Sequence, residues 1–211
     1  KRYDLKKILI TGASGVVGKN ICEALTKKKI KFKKLSFFIK INKFKLENTS
    51  LIKKLSKKFS PSLIIHCAID SKSNPNLKRN IRMIKNMTKY FNAPIIYMSS
   101  VSVYENVKKI NLNENMKIIK FDSKYAKVKK KCEDMILSRN TDNDLCLRVP
   151  GIFSKKRKYG IIFNLKKKVL NKDYSFKFFH LKKQWQCIYN EHFQYYFIKI
   201  LNSKNFNFKI M

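Results

Sequence analysis

Apolar positions in this chain follow two rhythms that take turns. Short unbroken apolar runs occur at "KKILITG" (6–12), "SLIIHCAI" (62–69), "APIIYMSS" (93–100) and "DLCLRVP" (144–150). Runs of that length, ended by small or polar residues, have the form of strands buried on both faces. A further strand is predicted over "IKFKKLSFF" (30–38). Between the runs the apolar spacing changes to that of a helix. "SGVVGKNICEALTKKK" (14–29) places Val17, Ile21, Ala24 and Leu25 on one face. "LENTSLIKKLSKKF" (46–59), ended by Ser60-Pro61, "NLKRNIRMIKNMTKYF" (76–91) and "SKYAKVKKKCEDMILSR" (123–139) predict three more helices.

Strand and helix alternate at crossover spacing, which predicts an α/β fold: a Rossmann-type, doubly wound parallel sheet with helices on both faces. The alternation loosens after residue 150. A lysine-rich loop, the helix "IIFNLKKKVLNK" (161–172), the strand-like "YSFKFFHL" (174–181) and the helix "NEHFQYYFIKILN" (190–202) follow. The expected organisation is a main sheet domain over 1–150 and a small cap over 151–211.

Composition changes this picture little. A length of 211 residues with 44% hydrophobic residues supports one domain with a real core. No apolar run reaches the roughly 18 residues of a membrane span. The start reads directly into a strand without a cleavage pattern, so a cytoplasmic protein is expected. Five cysteines without a CxxC pair read as reduced thiols, and the three histidines have no metal-ligand spacing. The formal charge of +36 would attract polyanions. However, 43 lysines against 6 arginines, spread along the whole chain, imply diffuse charge. Any nucleic-acid binding is expected to be non-specific.

The chemistry concentrates in a few stretches. "ITGASGVVGKN" (10–20) puts three of the five glycines, Gly12, Gly15 and Gly18, at one strand-to-helix turn. Such a turn lets backbone approach a pyrophosphate at the helix N-terminus, where N–H groups and the helix dipole favour an anion. In "SKYAKVKKKCE" (123–133), Tyr125 and Lys129 stand four apart and share one helical face. A tyrosine hydroxyl titrates near about 10, and a nearby ammonium is expected to lower it. Trp185, Phe178 and Phe179 read as packing residues, His180 and His192 as surface or cap residues, and Cys67 as a small buried hydrophobe.

Taken in order, these stretches resemble the extended short-chain dehydrogenase/reductases of the NAD-dependent epimerase/dehydratase family. "IIHCAI" is similar to the family's His-x-Ala-Ala strand beside the cofactor. "NPNLKRNIRMIKNM" resembles its active-site asparagine helix, implying Asn80. "YMSSVSVYE" resembles Ser-Ser-x-x-Val-Tyr and implies Ser100 as the catalytic hydroxyl. "YAKVKKKCE" matches Tyr-x-x-x-Lys with its downstream glutamate. "LCLRVPGIF" resembles the Leu-Arg-x-Pro strand, and "WQCIYNEHFQYYFIKIL" the later strand–helix.

The resemblance implies an NAD- or NADP-dependent oxidoreductase or epimerase acting on a nucleotide-linked sugar, with Ser100, Tyr125 and Lys129 catalytic. It implies cofactor contacts from Thr11, Gly12, Ser14, Gly15, Val16, Val17, Gly18, Cys67, Ala68, Asn80, Tyr125 and Lys129, and leaves room for a homodimer. The second strand lacks the acidic residue expected about 20 positions beyond the glycine turn. Lys40 suits a 2'-phosphate, so NAD and NADP both stay open. Lys45 and Asn48 replace the adenine-side acidic pair, and Gly151 replaces a substrate-binding amide. Val101-Ser102 stands where 4,6-dehydratases carry Asp-Glu, which argues against dehydration. The alternatives are a catalytically idle dinucleotide-binding scaffold and, more weakly, a non-specific nucleic-acid binder.

Overall fold

The computed structural model describes residues 3–35, 46–70, 74–107, 112–139, 141, 143–155, 161–173, 186–203 and 209–211. Five strands, β1 (Ile8–Thr11), β2 (Phe32–Lys34), β3 (Leu63–His66), β4 (Ile95–Ser100) and β5 (Leu145–Val149), form one parallel sheet in the order β2-β1-β3-β4-β5. Each crossover carries a helix or a longer connection. The first is α1 (Val16–Lys27), and α2 (Thr49–Lys58) leads into β3. Then α3 (Leu77–Tyr90) joins β3 to β4, and α4 (Lys124–Leu137) joins β4 to β5.

The period-2 alternation of the strands sorts their side chains into two cores. Ile8, Ile10, Leu63, Ile65, Ile96 and Met98 face α1. Leu9, Ile64, Ile95 and Tyr97 face α2, α3 and α4. The unbroken apolar runs of the sequence are therefore strands whose two faces are both covered by helices, as a parallel sheet requires.

Beyond β5 the chain adds β6 (Gly151–Phe153), α5 (Ile161–Leu170), β7 (Cys187–Tyr189) and α6 (Asn190–Asn202). β6 pairs in parallel with β7 in a small second sheet, where the sequence pattern suggests only a loop after Gly151. Three residues are too few to show a period, and the pairing partner lies some thirty-six positions away, from Gly151 to Cys187. α6 joins the α1 face directly: Phe193, Phe197, Ile198 and Leu201 belong to the same buried cluster as Ile8, Ile21 and Leu25. Residues 209–211 run along the outer edge of β5, with Met211 N–H donating to the Cys146 carbonyl and Arg148 N–H to that of Met211. The expected strand at 174–181, and Lys40, Lys45, Phe178, Phe179, His180 and Trp185, lie outside the described residues. His192 is exposed, with its ring edge against Tyr189.

Candidate active site

Connections leave β1 in opposite directions, toward β2 and, later, β3. The crevice beyond the carboxyl ends of β1 and β3 is the place where open α/β sheets hold ligands. Thr11 ends β1 and the glycine turn follows. Gly12 has φ +66, and a Cβ there would lie 2.5 Å from the Ala68 nitrogen. At Gly18 a Cβ would lie 2.2 Å from the Gly12 carbonyl oxygen. These two glycines are required by the protein's own packing. Gly15 is different: its φ of −73 and ψ of 170 suit any residue. A Cβ there meets only the Gly12 oxygen, at an ordinary 3.4 Å.

The space beside Gly15 is therefore a cradle open on the cleft side. Gly15 also precedes α1 without a side-chain cap, and the first turn carries no acidic residue. The opening N–H groups of α1, from Val16, Val17 and Gly18, thus favour an anion. Ser14 is exposed on the same lip, and Val16 and Val17 are half-buried. These features fit a dinucleotide pyrophosphate.

The far wall is the segment after β3. The strand stops at His66, so Cys67 and Ala68 follow it as half-buried connection rather than as part of the strand. Cys67 N–H donates to the Thr11 carbonyl at 3.1 Å, and Ala68 N–H approaches Thr11 Oγ1 at 3.4 Å. Burial pushes the Cys67 thiol up to about 12, so it stays protonated. Asn80 is buried in α3. Its amide accepts from Asp70 N–H at 3.1 Å and donates to the Asn76 carbonyl at 2.8 Å, holding the segment that leaves Ala68. Asn48, at the adenine-side position, caps α2 by accepting from Leu51 N–H.

The second half of the site lies where β4 meets α4. Ser100 ends β4 and caps a short 3-10 helix, Val101–Tyr104, where its Oγ accepts from Ser102 N–H and contacts Ser102 Oγ at 3.1 Å. Ser123 caps α4 by accepting from Ala126 N–H at 3.1 Å. Tyr125 and Lys129 follow on the inner face of that helix. Lys129 is only 3% exposed, whereas Lys127 and Lys131 are exposed, so one member of the lysine run is selected by burial. Its ammonium donates to the Met98 carbonyl at 2.7 Å and lies 4.9 Å from the Tyr97 ring centre and 5.7 Å from that of Tyr125.

The Tyr125 hydroxyl is shifted up from its ordinary value, the reverse of the sequence expectation. Burial penalises the phenolate, and the hydrogen bond from Ser100 offsets this only in part. Ser100 at the end of β4, and Tyr125 and Lys129 on the inner face of α4, thus stand at one corner, where Ser100 acts on the Tyr125 hydroxyl.

Two features of this corner escaped sequence reading. Glu133 and Arg148 form a buried, bidentate ion pair at 3.0 and 2.8 Å, and Arg148 also donates to Tyr104 Oη. His66, 1% exposed, shares a 2.9 Å hydrogen bond with Thr11 Oγ1 and stacks on Tyr97. Spacing alone does not announce either contact, although both acidic and basic partners lie in motifs quoted above.

The profile of the NAD dependent epimerase/dehydratase family matches residues 8–203, and the chain belongs to that family. No curated protein matches the sequence. Similar solved structures include the Bordetella bronchiseptica enzyme WbmG in complex with NAD and UDP. It has 13% identity and a TM-score of 0.76, with 96% of this chain and 70% of that one covered. UDP-glucose 4-epimerase from Thermotoga maritima, with UDP-glucose, has 16% identity and a TM-score of 0.73, over 93% and 73% of the two chains. A GDP-L-fucose synthetase from Naegleria fowleri bound to NADP has 17% identity and a TM-score of 0.73, over 98% and 76%. At these identities the likeness shows the fold. No described helix is long and apolar enough to cross a membrane, and no His/Cys/Asp/Glu group among the described residues could hold a metal.

Proposed function

We propose that this chain is an NAD- or NADP-dependent epimerase or reductase acting on a nucleotide-linked sugar. The observation that carries the reading is the meeting of Ser100, Tyr125 and Lys129 at the carboxyl end of β4, across the crevice from the open Gly15 cradle. Gly12, Gly15 and the first turn of α1 would hold the cofactor's pyrophosphate, with Cys67 and Ala68 as the facing wall and Asn80 fixing that wall from behind. Residues 1–150 would thus carry the cofactor side, and 151–211 the substrate side.

When bound, the nicotinamide supplies the hydride acceptor or donor. In the reducing direction Tyr125 Oη, kept protonated by burial, gives its proton to the sugar carbonyl oxygen, and in the oxidising direction the phenolate takes it back. Ser100 Oγ donates to the same oxygen and holds it in line for transfer. Lys129, fixed by the Met98 carbonyl and two aromatic faces, places a positive charge beside the Tyr125 ring. Epimerisation returns the hydride to the opposite face of the keto sugar with no net change in the cofactor; net reduction consumes one reduced cofactor for each keto sugar that enters. With Ser102 bonded to Ser100 at 3.1 Å, no carboxylate stands at the position a 4,6-dehydratase would use.

A second reading, an idle dinucleotide-binding scaffold, is favoured by the raised Tyr125 hydroxyl. Fluorescence titration with NADH and NADPH tests the shared premise: saturable binding is expected, and Gly15→Val should abolish it in a folded protein. Turnover of UDP- and GDP-sugars then separates the two readings. Tyr125→Phe should keep cofactor binding and lower turnover by about a hundredfold to ten-thousandfold. Binding without turnover of any nucleotide sugar would leave the scaffold.

A further inference from the structure

Ser100 and Tyr125 approach from different elements, and their spacing depends on how the end of β4 is fastened to the start of α4. Ser100 caps the start of the 3-10 helix and Glu105 caps its end. Both carboxylate oxygens of Glu105 are taken by Ser123, one accepting its backbone N–H and the other its Oγ–H at 2.9 Å. Ser123 Oγ simultaneously accepts from Ala126 N–H and so caps α4. Tyr125 stands two residues further on. Asn106 adds a parallel tie, its amide donating to Asp122 at 2.9 Å.

The two hydroxyls are therefore the ends of one hydrogen-bonded bracket: Ser100, the 3-10 helix, Glu105, Ser123, Tyr125. We propose that Glu105 is a positioning residue, gripping Ser123 so that Ser100 Oγ and Tyr125 Oη face a single substrate oxygen. This rests on the Ser–Tyr–Lys reading above. A carboxylate suits the place because it only accepts, and Ser123 presents two donors at the positive end of a helix. A cap alone would stabilise α4 without setting where Tyr125 stands; the bracket ties that cap to the 3-10 helix that Ser100 begins.

The test uses the full chain with tyrosines labelled at the ring carbon bearing the hydroxyl, the Tyr125 signal being assigned by its loss in Tyr125→Phe. Ser123→Asp keeps a good cap for Ala126 N–H but sets a carboxylate against Glu105. Glu105→Gln combined with Ser123→Asp restores a donor–acceptor pair of reversed polarity. Ser123→Asp should move the Tyr125 signal and lower turnover by about tenfold to a hundredfold, with cofactor affinity unchanged. The double variant should return both toward the parent. A Tyr125 signal unmoved in Ser123→Asp and in Glu105→Ala, with only the melting temperature lowered, overturns the proposal. If the parent turns over no nucleotide sugar, the Ser–Tyr–Lys reading fails by that result, and the Tyr125 signal alone decides the bracket.

Discussion

At the glycine turn after β1, backbone comes close to backbone because side chains are missing. At the corner between β4 and α4, backbone is held apart and aligned by side chains that are present. The turn uses Gly12 and Gly18 to let β1, the loop and α1 interlock, and leaves Gly15 open toward the cleft. The corner uses Glu105, Ser123, Glu133, Arg148 and the Lys129 ammonium, each with a named acceptor or donor. The difference teaches where each region is fragile. The turn fails when an atom is added, and the corner fails when one is taken away.

The largest effect should come from taking away at the corner. Glu133 is fully buried, and Arg148 is its bidentate partner. Arg148→Met strands that carboxylate, and breaking such a pair costs about 3–5 kcal/mol. Replacing both partners, Glu133→Leu with Arg148→Met, removes the charge as well as its partner and should recover most of the loss. Urea unfolding of the single and double variants measures this. A single variant within experimental error of the parent would mean that the pair is not what braces the corner.

Adding atoms at the turn should cost less and should discriminate between neighbouring glycines. Gly18→Ala drives a methyl into the Gly12 carbonyl, 2.2 Å away, and overpacking of this kind costs about 1–3 kcal/mol. Gly15→Ala meets only an ordinary contact and should stay within about 0.5 kcal/mol of the parent, as surface changes do. The cofactor readout should show the loss instead: Gly15→Ala weakens dinucleotide binding while its unfolding curve overlays the parent's. Equal destabilisation by both substitutions would remove the argument that Gly15 is kept for a ligand.

The two regions were unequally legible in the sequence. Gly12, Gly15 and Gly18 announce themselves because a turn is local, and three glycines in seven positions need no distant partner to be read. The parallel sheet was legible for the same reason: Ile8–Thr11 and Leu63–His66 are unbroken apolar runs whose burial is written into their own residues. Lys129 was legible from its four-residue offset, and burial then separated it from Lys127 and Lys131. What stayed hidden depends on juxtaposition. Glu105 and Ser123 are 18 positions apart and Thr11 and His66 are 55 apart, so only the fold brings them into contact. The direction of the Tyr125 shift was misjudged because charge can be read from a sequence, whereas desolvation requires knowing what covers the hydroxyl. β6 was missed because three residues carry no period.

One residue joins the two regions, and its effect should be the smallest. His66 contacts Thr11 at the root of the glycine turn and stacks at 5.9 Å on Tyr97, over whose ring the Lys129 ammonium also lies. Burial first, and the Lys129 charge second, push the His66 imidazole down from 6.5 to about 3. In the unfolded chain His66 takes up a proton as pH falls through its ordinary value, while in the native protein it stays neutral until far lower pH. The unfolded state therefore binds more protons across that window, so the stability His66 contributes is present above pH 6.5 and is lost as pH falls toward 3. Between about pH 7 and about pH 5.5 the loss from this one group should be about 1 kcal/mol. His66→Asn keeps a side chain able to hydrogen-bond Thr11 but does not titrate. Urea unfolding at both pH values should show the parent losing that amount more than the variant, with the carboxylates common to both cancelling in the difference. Identical losses would mean that His66 is not held neutral by its surroundings, and that the turn and the corner are packed side by side without a charge-sensitive joint between them.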